Sequence, residues 1–195
     1  MADWLDDELA QAACAIRQPH LDRLRALGVP ASAMQANYPA FGAMRVQPRS
    51  GALYEPCEAG RPALIVPVCV PIHGTGLFGQ PITLWKPLDL IAFRADHPAS
   101  WRWRIGQGWA LGADGLEHWE GQPIRAVATP LDWLRAGGDA FCLLDWADDS
   151  PAWPLLRCVA HIVASDDLLA QKLAKAIDRN AARPRITVEA LRHAA

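Results

Sequence analysis

The sequence lacks the long apolar run that a membrane helix requires. Its longest apolar stretch, residues 63–72, falls well short of the ~20 residues of a membrane span and is interrupted by Pro67 and Pro71. The opening residues, MADWLDDELA, are acidic and lack the basic-then-apolar pattern of a secretion signal. We therefore expect a cytoplasmic protein without membrane association.

The chain also lacks an excess of positive charge. Its 19 Lys and Arg residues against 21 Asp and Glu residues give a formal net charge of −2. No overall basic field attracts nucleic acid, so such binding would need a local patch. Hydrophobic residues make up 51% of the 195 positions, which predicts a folded chain with one sizeable core, either one domain or a core with a small appendage.

Several common catalytic and metal-binding motifs are missing. None of the five cysteines pairs at CxxC spacing, and no nearby histidines complete a zinc pattern. The nucleophile elbow GxSxG and the phosphate loops GxGxxG and GxxxxGK[ST] are absent as well. Cys69, Cys142 and Cys158 lie in apolar runs, so we expect buried, reduced thiols there. His161 is likewise expected to be a hydrogen-bonded core histidine.

The first two thirds of the chain reads as helices followed by antiparallel strands. Apolar residues recur every three or four positions over residues 3–17 and 21–27, and a short third helix is predicted over residues 31–36. Branched residues and turns then alternate over residues 63–111, which predicts a mainly antiparallel sheet containing a hairpin whose turn is HGTG, residues 73–76.

From residue 124 the pattern changes to strands alternating with helices. This alternation predicts right-handed crossovers and a small, mostly parallel sheet. The fold class is therefore α/β (α+β overall), with residues 1–123 and 124–195 as two regions that share one core. The predicted elements are strand 124–129, helix 130–137, strand 140–146, a proline-bearing loop 148–154, strand 158–165, helix 166–179 and strand 185–188.

Acidic residues follow the ends of the strands in this second region. Asp145 follows one strand, Asp166 and Asp167 follow another, and Asp132 begins the helix after the first. Ligands of open α/β sheets bind beyond the carboxyl ends of the strands. Magnesium prefers carboxylate oxygens, so these four residues are the candidate metal or phosphate site.

The second region resembles the TOPRIM domain of bacterial, phage and plasmid primases and of topoisomerases. In that family a first strand ends in Glu-Gly, an Asp follows in the next helix, and Ala-Gly often closes that helix. Residues 126–145 retain the aspartate of that helix as Asp132 and the Ala-Gly pair that ends it as Ala136-Gly137. The family's later strand ends in Asp-x-Asp, of which this chain keeps Asp166. The likeness extends over about residues 20–190.

Two departures from that family concern its reactive groups. The resemblance implies a glutamate acting as general acid or base and aspartates holding magnesium. Here Ala128-Thr129 stands in place of Glu-Gly, and Leu168 occupies the second Asp position, with Asp167 one place early. The resemblance therefore implies a scaffold that has lost its catalytic centre, with no cofactor or at most Mg²⁺. A simple alternative also accounts for Asp166, Asp167 and Asp132, since acids stabilise helix N-termini.

Arginines supply the candidate nucleic-acid contacts. Arg102 and Arg104 belong to the stretch WRWRIG, whose alternation predicts tryptophans toward the core and arginines toward water. Arg179, Arg183 and Arg185 lie in the most basic segment, at the carboxyl end.

Three functions stay open. One is a non-catalytic primase-related protein of phage or mobile-element origin that binds single-stranded nucleic acid or a replication protein. Another is a magnesium-dependent enzyme acting on nucleic-acid phosphates. The third is a small-molecule-binding protein.

Overall fold

The structure is a computed structural model that describes residues 4–35, 41–75, 79–117 and 120–180, apart from the side chain of residue 117. Within these residues it contains seven helices and nine strands arranged in two sheets, one antiparallel and one mixed. The predicted α/β class is therefore confirmed. None of the described helices has the length and apolarity needed to span a bilayer.

Five strands form the larger sheet, which is antiparallel throughout. They are β1 (Gly42–Pro48), β2 (Tyr54–Pro56), β3 (Arg61–Thr75), β4 (Pro81–Arg94) and β5 (His97–Trp103). Their order across the sheet is β2-β1-β3-β4-β5. Residues 63–68 of the central strand β3 are buried without interruption because both faces of the sheet are covered. The expected turn at residues 73–76 is wrong, since β3 continues to Thr75.

Four strands form the smaller sheet. They are β6 (Ala110–Leu111), β7 (Ile124–Val127), β8 (Phe141–Leu143) and β9 (Ile162–Ala164), in the order β6-β8-β7-β9. β7 runs parallel to both of its neighbours, and β6 pairs antiparallel with β8. The expected small, mostly parallel sheet is therefore present, with an antiparallel edge strand. The predicted strand 185–188 lies outside the described residues, as does Asp3 at the start of the first predicted helix.

Helices cover both sheets and fill the space between them. Leu5 and Ala12 of the first helix pack on one face of the larger sheet, and the last two helices pack on the outer face of the smaller one. The helices are α1 (Trp4–Cys14), α2 (Gln18–Ala26), α3 (Ala31–Gln35), α4 (Asp114–Glu117), α5 (Pro130–Arg135), α6 (Ala152–Cys158) and α7 (Asp167–Arg179).

The central hydrophobic core joins side chains from both sheets. Val66 and Phe93 of the larger sheet share one buried cluster with Val127 and Cys142 of the smaller sheet and with Leu134 of α5. Successive side chains of a strand point to opposite faces. Phe141 and Leu143, on either side of Cys142, accordingly pack on the outer helices instead.

Helix α6 replaces the loop and strand expected at residues 148–165. Trp153 and Leu156 are buried at helical spacing, and Pro154 lies in the first turn, where its missing N–H leaves no intrahelical bond unmade. The strand prediction was right only for Ile162–Ala164. As a consequence Cys158 and His161 are exposed, so the expectation of a buried thiol and a core histidine was wrong, whereas Cys142 is buried as expected.

Candidate functional site

The carboxyl ends of β7 and β9 lie side by side, as their parallel pairing requires. Ala126 is the register partner of Ala164, and the backbone N–H of Ser165 donates to the carbonyl oxygen of Ala126 at 2.9 Å. The residues that follow the two strands, Thr129 and Asp166 among them, therefore share one edge of the sheet. β8 is the other neighbour of β7, and Asp145 follows it.

Asp132 is held by its own helix. Thr129 caps the N-terminus of α5: its Oγ1 accepts from the backbone N–H of Asp132 at 3.2 Å and donates to Asp132 Oδ2 at 2.6 Å. The other carboxylate oxygen accepts from Arg135 Nη1 at 2.8 Å, and Arg135 Nε donates to the carbonyl of Leu27. Both oxygens of Asp132 thus have local partners, and the network fastens α5 to the end of α2.

Asp166 is the N-cap of α7. Its Oδ1 accepts from the backbone N–H of Leu169 at 2.8 Å, and Ser165 Oγ donates to its Oδ2 at 3.0 Å. These bonds favour the charged form, so the backbone N–H of Leu169 first, and then the Ser165 hydroxyl, lower the pKa of Asp166. Asp167 begins the helix itself, where its charge complements the helix dipole.

The predicted acidic site does not form a metal-ligand cluster in the part of the chain that the structure describes. Asp145 accepts through Oδ1 from the N–H of Ala147 at 3.0 Å, within its own loop. Among the described residues, no group of three or more His, Cys, Asp or Glu side chains could hold a metal ion. The strand ends meet as expected, but Asp132, Asp145 and Asp166 each serve a separate turn or helix end.

A lysine lies close to this edge of the smaller sheet. Lys172 of α7 places its Nζ 3.5 Å from the centroid of the Trp146 ring, which follows β8. The contact is a cation–π interaction. Partial burial lowers the pKa of Lys172. The sequence pattern gave no indication of this pair, because only the tertiary packing of α7 brings the two side chains together.

Arg104, one of the predicted nucleic-acid contacts, points into a polar cluster under α1. Its Nε donates to both carboxylate oxygens of Glu8, at 3.0 and 2.9 Å, and its guanidinium carbon lies 4.6 Å from the centroid of the Trp4 ring. Tyr54 Oη also donates to Glu8, at 3.2 Å. Burial raises the pKa of Tyr54 well above its usual range, and the Glu8 charge raises it further. The expectation that Arg104 faces water was therefore wrong.

Arg102, the other predicted contact in this stretch, is half-buried and lies on a basic surface of the larger sheet. It lines a cavity of about 250 Å³ together with Arg61, Arg94 and His97, each from the end of a strand. We call these four residues the arginine face. Arg94 forms an ion pair with Asp96. The side chains of Arg61 and Arg102 form no hydrogen bond or ion pair with any described residue.

The register of the strands explains how the arginine face forms. Arg102 on β5 is opposite Ala92 on β4, and Arg61 on β3 is opposite Val46 on β1. Ala92 and Val46 belong to the core cluster beneath α1, so Arg61 and Arg102 project from that same face of the sheet. Sequence reasoning missed Arg61 and Arg94 because only strand pairing brings them beside Arg102.

The predicted basic segment at the carboxyl end is only partly described. Arg179 Nη2 lies 2.7 Å from Asp148 Oδ1, and both side chains are largely exposed. Arg183 and Arg185 lie outside the described residues. Arg179 is therefore already paired with an acid, in contrast to Arg61 and Arg102.

Sequence reasoning did not identify a buried carboxylate that organises the loop after β5. Asp89 of β4 is fully buried, and its two oxygens accept hydrogen bonds from five backbone N–H groups. Four of those donors belong to the loop after β5, namely Arg104, Ile105, Gln107 and Gly108. These bonds from backbone N–H groups to its carboxylate make Asp89 a structural anchor for that loop.

No family model, curated protein or solved structure matches the chain. The TOPRIM resemblance therefore remains a prediction from the sequence motifs.

Proposed function

We propose that this chain is a non-catalytic, primase-related (TOPRIM-like) protein that binds the phosphate backbone of single-stranded nucleic acid on its arginine face. The observation that carries the proposal is the pair of guanidinium groups, Arg61 and Arg102, that lack partners among the described residues. They lie beside Arg94 and His97 on a chain whose formal net charge is −2. This is the local basic patch that nucleic-acid binding requires in a chain without a basic field.

The chemistry of the arginine face suits phosphate oxygens. A guanidinium presents a planar fork of N–H donors that matches the geometry of phosphate. Arg61, Arg94 and Arg102 lie on three neighbouring strands, β3, β4 and β5, which are spaced about 4.8 Å apart. The strand register places Arg61 four residues along β3 from Ile65, the position level with Arg102, so these two guanidinium groups can contact separate phosphate groups of an extended polyanion. Ser100 lines the same cavity and adds a neutral hydroxyl.

The acids at the strand ends support the non-catalytic part of the proposal. A catalytic magnesium site needs carboxylate oxygens that converge on the ion. Here Asp132 binds Thr129 and Arg135, and Asp166 binds the N-terminus of α7. The position of the family's glutamate is Ala128, whose side chain can neither transfer a proton nor coordinate a cation.

The test is a salt-dependent binding titration with a fluorescent single-stranded oligonucleotide, with and without Mg²⁺. The Arg61→Gln/Arg102→Gln double variant is compared with Arg125→Gln, which removes an exposed arginine from β7 of the other sheet. The slope of log K against log salt should fall by about 0.7 for each phosphate contact removed. We expect a decrease of about 1.4 in the double variant and no change in the control.

Two results would overturn the proposal in separate ways. Binding that is independent of salt, or equally weakened by Arg125→Gln, would remove the arginine face as the nucleic-acid interface. Cleavage or synthesis of a phosphodiester by the purified protein in the presence of Mg²⁺ would establish the enzymatic alternative instead.

A further inference from the structure

A second, larger cavity lies between α2 and the larger sheet. Its volume is about 610 Å³, within the range of roughly 300–1,000 Å³ that is typical of small-molecule sites. Apolar side chains from three elements form its walls: Leu24 of α2 and Leu27 just after it, Ala43 of β1 and Leu64 of β3.

The rim of this cavity is basic. Arg23 of α2, Arg45 of β1, Arg94 of β4 and His20 line it, and Asp96 is the acid among the described lining residues. Asp96 is already bound to Arg94, whose Nε donates to Asp96 Oδ1 at 3.0 Å. Arg23 and Arg45 form no side-chain hydrogen bond or ion pair with the described residues. Two guanidinium groups are thus available to an anion whose body lies against apolar walls.

We propose that this cavity binds a small organic anion that combines an apolar body with one carboxylate or phosphate group. The apolar walls would bury the body, and Arg23 and Arg45 would bind the charged group through charge-assisted hydrogen bonds. The site goes beyond the proposed function, because Arg23 and Arg45 do not belong to the arginine face. Of the four arginine-face residues, only Arg94 also lines this cavity. No Phe, Tyr or Trp is among the described lining residues, so the stacking platform of a single-strand site is not provided there.

Competition against a fluorescent organic anion tests the proposal. Anilinonaphthalenesulfonate, which brightens in apolar surroundings, is titrated into the folded protein. Decanoate and decyl phosphate are then added as competitors that carry both features of the expected ligand. Decanol carries only the apolar body, and inorganic phosphate carries only the charge. We expect decanoate and decyl phosphate to displace the probe with affinities about ten-fold or more above those of decanol and phosphate.

Two arginines on one helix provide a matched pair of variants. Arg23→Gln removes a rim guanidinium, whereas Arg25→Gln removes an exposed arginine of α2 that is paired with Asp22 and does not line the cavity. Decanoate affinity should fall about ten-fold in Arg23→Gln and in Arg45→Gln, and should stay unchanged in Arg25→Gln. Circular dichroism and thermal melts establish that each variant is folded. In addition, Ala43→Leu should narrow the cavity and weaken probe binding.

The outcomes separate this proposal from the nucleic-acid proposal. Equal competition by decanol and decanoate, or equal losses in Arg23→Gln and Arg25→Gln, would show that no anion is recognised here. Failure of the probe to bind the folded protein would exclude the cavity as a site. If an oligonucleotide displaces the probe and Arg23→Gln weakens oligonucleotide binding, the cavity belongs to the nucleic-acid interface and the small-anion proposal is wrong. None of these results predicts how salt affects oligonucleotide binding through Arg61 and Arg102.

Discussion

Aspartate is buried and multiply hydrogen-bonded in the larger sheet but exposed at a helix N-terminus beside the smaller one. In the larger sheet Asp89 is fully buried and accepts from five backbone N–H groups. In the smaller sheet Asp166 is exposed and accepts from a single backbone N–H and one hydroxyl. The number of hydrogen-bond donors around an aspartate therefore indicates its role better than its position at a strand end does.

Burial of the Asp89 carboxylate is tolerable because its hydrogen bonds replace those of water. An unpaired buried charge costs far more free energy than folding can supply, whereas a carboxylate surrounded by N–H donors keeps its solvation within the protein. The same bonds fix the loop that leads from β5 to β6, and Trp103 Nε1 adds a bond to the carbonyl of Gly108 at 2.6 Å. One side chain therefore connects the larger sheet to the start of the smaller one.

The largest effect is expected from Asp89→Asn. Its amide NH₂ cannot accept a hydrogen bond, so at least two backbone N–H groups, those of Gln107 and the buried Gly108 in one orientation, would lose their acceptor. At roughly 1–3 kcal/mol for each such group, the free energy of unfolding should fall by about 4 kcal/mol. Urea denaturation measures this loss.

Asp139→Asn is the matched control for that substitution. Asp139 is exposed in the turn before β8, and a surface change of this kind usually alters stability by less than about 0.5 kcal/mol. Equal losses in the two variants would mean that Asp89 is not the anchor of the loop.

Alternation and turn signals made the two sheets predictable in outline. The strand–helix–strand unit around α5 was predicted in the right place, with strands longer than the observed Ile124–Val127 and Phe141–Leu143. Thr129, Pro130 and the glycines after the helix mark the start and end of the helix locally. Helix α6 was missed, since Pro154 suggested a loop although a proline in the first turn is compatible with a helix. Local sequence signals predict a helix or strand correctly only where they are compatible with a single secondary structure.

The partners of charged side chains were not predictable in the same way. Arg104 and Glu8 are 96 residues apart in sequence, and only the packing of α1 on the sheet brings them together. The arginine face has the same origin, because Arg61, Arg94 and Arg102 become neighbours through strand pairing. Alternation predicted that Arg102 and Arg104 share one face of a strand, although Arg104 lies just after the end of β5. It could not indicate that Arg104 binds Glu8 of α1 whereas the Arg102 side chain has no partner among the described residues.

An intermediate effect on stability is expected from Glu8→Gln, which removes the charge that pairs with Arg104. Glu8 is 9% exposed and Arg104 is 20% exposed, so water compensates the lost charge only in part. We expect a loss of about 2 kcal/mol in the free energy of unfolding. Glu55→Gln serves as the control, because Glu55 pairs with Arg49 on the open surface and such pairs contribute at most about 1 kcal/mol. A greater loss in Glu55→Gln than in Glu8→Gln would contradict the importance of burial.

The smallest effect is expected from Asp166→Asn, because asparagine is also a good N-cap and the site is exposed. The folded state lowers the pKa of Asp166 through its bonds to Leu169 and Ser165. A depressed pKa contributes stability above the unfolded-state value of about 3.9, and that contribution disappears as the pH falls through the folded-state pKa. The wild type should therefore melt slightly above the variant near neutral pH, and the difference should vanish in strong acid. A difference in melting temperature that persists or grows at low pH would show that the cap acts through something other than its charge. The difference in role between Asp166 and Asp89 would then need another physical basis.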